Sequence, residues 1–108
     1  MAQTHKSFGR STPGAGATVT LYTATGVTGM LTCLHICNTN TTADLVHIFI
    51  VPSGGSAGVT NAIMYNLIIP EGIPFLMNSV VVLMNGDFLA VYSRDGHTTF
   101  TASGLEIV

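Results

Sequence analysis

Four side chains in one short stretch are of the types that bind a transition metal: Cys33, His35, Cys37 and His47. Thiolate and imidazole are the common ligands of zinc. Cys33, His35 and Cys37 occupy alternate positions, so an extended strand puts all three on one face. Successive side chains on such a face stand about 7 Å apart, whereas the ligands of one ion must converge on a point. His35 and His47 could meet; three ligands from one strand could not. The expectation is therefore no metal. In its place we expect two histidines stacked across neighbouring strands and two small buried thiols. Protonating both histidines would set like charges together, which would make that contact pH-sensitive. The cysteines lie about 13 Å apart at strand rise, beyond disulfide reach, which fits assembly in a reduced intracellular environment.

Other chemistry is not legible. The serines are scattered in loops, and the one Gly-x-Ser-x-Gly match, Gly54-Gly55-Ser56-Ala57-Gly58, lies in a loop without the following helix that a nucleophile elbow needs. Asp44, Glu71, Asp87, Asp95 and Glu106 mostly sit at turns, where Asp is favoured for backbone reasons. Gly54-Gly55-Ser56 lacks the lysine and the following helix of a phosphate loop. Tyr22, Tyr65, Tyr92 and Phe8 are the aromatic candidates for stacking on a sugar, and there is no tryptophan. These readings predict no catalytic residue, no cofactor and no small-molecule substrate. The net charge of −2, with Lys6, Arg10 and Arg94 as the basic residues, gives no footing for nucleic acid. The longest purely apolar run, Val80 to Met84, is too short to cross a bilayer, and residues 1–17 lack the apolar core of a secretory signal.

The element that would position the four metal-type side chains runs from Leu31 to Val51. It reads as two strands, 31–37 and 45–51, joined by a polar turn at Thr39-Asn40-Thr41-Thr42-Ala43 and so antiparallel. Symmetry about Thr41 sets Ile36 against Val46, Leu34 against Ile48 and Thr32 against Ile50. That aliphatic face is assigned to the core. The other face carries Leu31, Cys33, His35, Cys37, Leu45, His47, Phe49 and Val51. It is assigned to an oligomer interface, or to cover by another part of the chain. Two apolar faces on one hairpin exceed what one small core can bury, which points to a protein packed against copies of itself or a partner.

Around this hairpin, residues 1–17 read as a flexible or extended N-terminal arm rich in Gly, Ser, Thr and Pro. Residues 18–108 read as a single domain. Thr18–Thr25, Asn61–Ile69 and Phe75–Met84 are strands, with a break at residues 70–74. Asn85-Gly86 and Asp95-Gly96 are read as two-residue hairpin turns. Their registers set Leu83 against Phe88, Val82 against Leu89, Val80 against Val91, Val91 against Phe100 and Leu89 against Ala102. Leu89, Val91, Phe100, Val80 and Val82 then share one core face. Gly104 marks a bulge. The count is about seven strands, and the class is all-β: an antiparallel, jelly-roll-like β-sandwich. Only 7% of residues are charged, against about 25% in ordinary soluble domains. So few charges, with few lysines to guard sheet edges, predict an oligomer.

Several stretches resemble small β-sandwich virion proteins of tailed bacteriophages. They are Leu34-His35-Ile36-Cys37-Asn38, Val51-Pro52-Ser53-Gly54-Gly55-Ser56, Asn61-Ala62-Ile63-Met64-Tyr65-Asn66, Ile69-Pro70-Glu71-Gly72, Asn85-Gly86-Asp87-Phe88 and Ser103-Gly104-Leu105-Glu106. The resemblance spans about residues 18–108. It implies a capsid decoration (cement) protein that oligomerises, as a trimer, on the outer surface of the major capsid protein shell and stabilises it. It also implies residence on the virion surface after assembly in the host cytoplasm. The arm, through His5, Lys6, Phe8 and Arg10, would then contact the capsid. The alternative it leaves open is a tail or fibre module involved in host attachment.

Overall fold

The computed structural model describes residues 3–72, 74–78 and 80–107. Ile73 and Ser79, which the sequence reading placed in the break and in a strand, lie outside the described residues. Nine strands follow in order: β1 (Gln3–Ser11), β2 (Ala17–Thr23), β3 (Thr28–Asn38), β4 (Asp44–Val51), β5 (Ala62–Ile69), β6 (Phe75–Met77), β7 (Val81–Leu83), β8 (Phe88–Ser93) and β9 (Thr98–Ile107). The helical content among the described residues is one 3₁₀ turn at Val59–Asn61.

The strands form two antiparallel sheets. One has the order β1-β9-β3, with β6 and β7 both pairing with the far side of β3; the other has the order β2-β8-β4-β5. Most connections leave one sheet and enter the other, and neighbours within a sheet are seldom consecutive in sequence. This is the double Greek-key order of a jelly roll, in eight strand positions, with β6 and β7 sharing one of them. The all-β sandwich expected from the sequence is the fold found. The strand count rises from about seven to nine, because β1 joins the sheet and the expected 75–84 strand is divided.

The principal correction concerns the central hairpin. β3 and β4 do not pair: β3 lies between β9 and β6/β7, and β4 lies between β8 and β5 in the opposing sheet. Residues 39–43 therefore bridge the two sheets. Asn38 shapes that arch. Its buried amide donates to the Thr42 and Ile69 carbonyls (2.7 and 3.0 Å), and its Oδ1 accepts from the Asn40 N–H. Both expected hairpin turns are likewise inter-sheet connections. Asp87 N–H donates to Met84 O at 2.9 Å, so the Asn85-Gly86 turn forms. Gly86 has a φ of 92°, but Asn85 is not among the positive-φ residues, which is the geometry of type II and not type I′.

For Leu34, Ile36, Val46 and Ile48 the face assignment survives the change of pairing, because alternation depends on the strand alone. Leu34, Ile36, Val46 and Ile48 are fully buried in one cluster with Leu89, Val91 and Phe100. They now meet across the two sheets. Val80 and Val82, expected in that core, are exposed at 63% and 49%. β7 turns Val81 and Leu83 inward and Val82 outward.

One end of the sandwich is tied by Asp44. Its carboxylate accepts from the hydroxyls of Ser93 and Thr98 (both 2.5 Å) and from the backbone N–H groups of Asp95 and Leu45 (3.0 and 2.8 Å). Burial pushes this carboxyl up, and the four hydrogen bonds outweigh it, holding the pKa below the ordinary carboxylate value. The other end is tied by Asp87, whose side chain accepts from the N–H groups of Ser53 and Met84, both at 3.0 Å.

Candidate interaction surface

The eight residues expected to form one interface are divided between the two sheets. On β3, His35 and Cys37 are exposed and Cys33 is half-buried. The expectation of two buried thiols therefore fails for Cys37. Leu31 is fully buried in the core, because a bulge between Leu31 and Cys33 shifts the phase of the strand. Thr32, expected inward, is half-buried and donates to Ser103 O instead. On β4, Leu45 and His47 are half-buried, while Phe49 and Val51 are buried. Phe49 and Val51 form a second small cluster with Ala90, flanked by Ala62, Phe88 and Tyr92. That part of the outer face is covered by the chain itself.

His35 and His47 cannot stack on each other, since their strands belong to opposing sheets. His47 instead lies between two tyrosines. Its ring is 4.0 Å from Tyr65 at 8° and 4.6 Å from Tyr92 at 15°, a row of three near-parallel rings across β5, β4 and β8. Burial lowers the His47 pKa below the ordinary 6.5, against an upward pull from the Val46 backbone. Among the described residues, no three His, Cys, Asp or Glu side chains gather as a metal site.

The expected arm is a strand. β1 pairs antiparallel with β9 from Gln3 to Ser11, with a bulge between Ser7 and Gly9. Phe8 is 4% exposed and stacks on Tyr22 at 3.8 Å, so it is core and not a contact residue. Alternation failed to reveal β1 because Phe8 is its one large apolar side chain. His5, Lys6 and Arg10 remain exposed. Lys6 Nζ lies 3.3 Å from Glu106, which also accepts from the Tyr22 hydroxyl at 2.6 Å. That hydrogen bond, with Lys6 adding to it, holds the Glu106 carboxyl below its ordinary value. Beside Lys6, a shallow depression of about 430 Å³ is lined by His5, Ser7, Thr32, Ser103 and Gly104.

Exposed large apolar side chains are concentrated elsewhere, between residues 59 and 84. β5 and β6/β7 are edge strands of their sheets, and they lie on the same side of the sandwich, where β3 also packs near β5. On the outer side of the β5 sheet stand Ile63, Tyr65 and Ile68, with Val59 beside them; on the outer side of the other sheet stand Leu76, Val80, Val82 and Met84. Glu71 is the one charged residue between 59 and 84. The opposite edge of the molecule, β1, carries Lys6 and Arg10. Charges on an edge strand discourage pairing with other chains, so the two edges are unlike in kind.

No family model matches this sequence, and no curated protein matches it. Solved structures do. The chain is similar to the protein of T=1 particles derived from infectious bursal virus (TM-score 0.54, 16% identity, 98% of this chain and 31% of that one). It is similar to the VP2 subviral particle of infectious bursal disease virus (0.54, 16%, 98% and 32%). It also matches the T13 particle of that virus (0.53, 14%, 98% and 31%). At these identities the likeness establishes a shared fold. The chain spans about a third of the length of each of these proteins.

Proposed function

We propose that this chain is a structural protein of a virus particle, a jelly roll that works by packing against copies of itself and the particle shell. The observation that carries this reading is the apolar edge of residues 59–84, with Glu71 as its one charge, on a jelly-roll sandwich. A chain with few charges and apolar side chains half in water gains most from association. The likeness in fold to proteins of viral particles supports the same class of role.

Within that class, the decoration type fits best. The resemblance carried by residues 34–38, 51–56 and 85–88 is to tailed-phage virion proteins. Such a chain would sit as a trimer on the major capsid protein, seal gaps between subunits and present His5, Lys6 and Arg10 on a sheet edge to the shell. Its loops are dominated by Gly, Ser, Thr and Asn, which favours cement over receptor binding at a tail.

The test is the copy number of this chain in purified particles, measured by quantitative mass spectrometry against the major capsid protein. A ratio near one supports shell decoration. A few dozen copies or fewer moves the chain to a tail or vertex. Absence from particles overturns the reading.

A further inference from the structure

We propose that the two apolar facets of the β5 and β6/β7 edge are the two halves of a head-to-tail contact between copies of this chain, which closes into a ring. The proposal rests on the reading of the chain as a self-assembling structural protein and names the surface that does the assembling. The Ile68 facet lies on the outer side of one sheet, and the Val82 facet on the outer side of the other. They point away from each other across the thickness of the sandwich, so one neighbour cannot cover both.

Area argues for the same arrangement. Each facet holds four large apolar residues exposed at between 41% and 68%. Four half-exposed side chains of this kind make a patch on the order of a few hundred Å². A standard interface buries about 800 Å² on each partner. Each facet-to-facet contact is therefore small, whichever facets meet, and a two-fold dimer built on one facet would leave the other facet in water. A heterologous contact, Ile68 facet on Val82 facet, gives every subunit two contacts and covers both patches once the ring closes.

The chemistry of the occupant is set by charge. Glu71 is the one formal charge in the whole 59–84 segment, so neither facet offers a partner an ion pair, and each selects another neutral apolar surface. Every copy of the chain supplies one. The β1 edge, with its Lys6 and Arg10, and the threonine-rich β2 edge offer no comparable patch.

The experiment uses the full chain, Ile68→Lys, Val82→Lys, and an equimolar mixture of the two variants, with mass read by light scattering after size exclusion. Ile68→Thr and Val82→Thr are carried in parallel because they keep the branched shape a strand favours. Unchanged far-ultraviolet circular dichroism checks that all four fold. The wild type should be a closed oligomer of defined mass. Each lysine variant should fall to one-chain mass. The mixture, read over a concentration series, should recover a species of two chains as concentration rises, since each variant retains the facet the other has lost.

A mixture that stays monomeric means the facets do not meet each other, and the proposal fails. It also fails if one lysine variant keeps the full oligomer, or if the wild type is a monomer or an open polymer. These results are separable from the copy-number test. A chain abundant in particles yet monomeric in solution would remove the ring and leave the structural role standing. A ring-forming chain absent from particles would do the reverse.

Discussion

The Nδ1 atom of His47 accepts a hydrogen bond from the backbone N–H of Asn66 at 3.0 Å. Asn66 sits at a bulge, where the β4–β5 register slips between Val46 and Ile48, and its φ is 56°. A non-glycine residue in the left-handed region needs support from its surroundings. Asparagine tolerates it best, and the neutral imidazole holds the peptide by accepting its proton. The same imidazole is packed between Tyr65 and Tyr92. One side chain thus fixes both the bend of β5 and the position of Tyr65 on the exposed facet.

That arrangement predicts an acid-sensitive stability. Protonated His47 has no lone pair at Nδ1 to offer Asn66, and burial already disfavours its charge. The folded-state pKa lies below the ordinary 6.5, so the unfolded chain takes up the proton first as pH falls. The His47 contribution is fully present above about pH 6.5 and is lost as pH drops through the folded-state value, with a slope of at most about 1.4 kcal/mol per pH unit. Denaturant unfolding of the wild type and His47→Phe from pH 8 to pH 5 should show their difference shrinking toward acid. A difference that holds constant would rule the mechanism out.

Gly104 is required by packing. A Cβ built there would lie 2.1 Å from the Met30 carbonyl oxygen and 2.8 Å from the Phe8 ring. The first neighbour is backbone of the paired strand β3, which cannot swing aside as a side chain can. Gly104→Ala should therefore cost about 2–4 kcal/mol, read as a lower midpoint in denaturant with an unchanged slope. A loss under about 0.5 kcal/mol would mean the three strands shift more readily than their register implies.

Residue patterns alone made most strands after residue 17 legible, and the faces of β4, but neither β1 nor the strands' partners. Leu34, Ile36, Val46 and Ile48 alternate cleanly, so their inward side follows from period two whichever strand lies next to them. The polar turn at residues 39–43 and the Asn85-Gly86 and Asp95-Gly96 pairs read equally well as hairpins or as bridges between sheets. What decides is non-local: β9 has a ten-residue partner in β3, and β8 pairs with both β2 and β4. The eight residues expected on one outer face are divided between the two sheets for the same reason, with His35 and Cys37 exposed on one of them. Leu31 turned inward through a bulge with no sequence signature, and Phe49 and Val51 were covered by their own chain. The signal that located the exposed facets was present, as a stretch from 59 to 84 with one charge, but not its meaning, since buried and exposed apolar strands look alike.

Asp44 should behave as a structural carboxylate. It holds the start of β4 to the end of β8 and the start of β9 through Ser93 and Thr98. Asp44→Ala leaves four donors without their acceptor in a nearly closed site, and a loss of about 2–4 kcal/mol is expected. Because its folded-state pKa lies below the ordinary 3.8, this stabilisation is present above that value and is lost as pH falls through the folded-state value. Urea midpoints of wild type and Asp44→Ala should converge in that acid window, and parallel curves there would contradict the assignment.

β1 should prove to be part of the folding unit. Phe8 closes the sandwich between β1 and β2 by stacking on Tyr22, whose hydroxyl reaches Glu106 on β9. Removing the ring leaves a cavity against Tyr22 on β2 and Gly104 on β9. Phe8→Ala should cost about 3–5 kcal/mol, and deletion of residues 1–11 should cost at least as much, because it also strips β9 of its partner. An exposed arm would behave differently: Phe8→Ala would leave the unfolding midpoint within about 0.5 kcal/mol of wild type, and amide exchange at the β1–β9 ladder would be unprotected. Lys6→Ala separates the two cases further. Its ion pair with Glu106 is half in water, so its loss should change stability by less than about 1 kcal/mol, while a capsid-binding role for the β1 edge would show as weaker attachment to particles at unchanged stability.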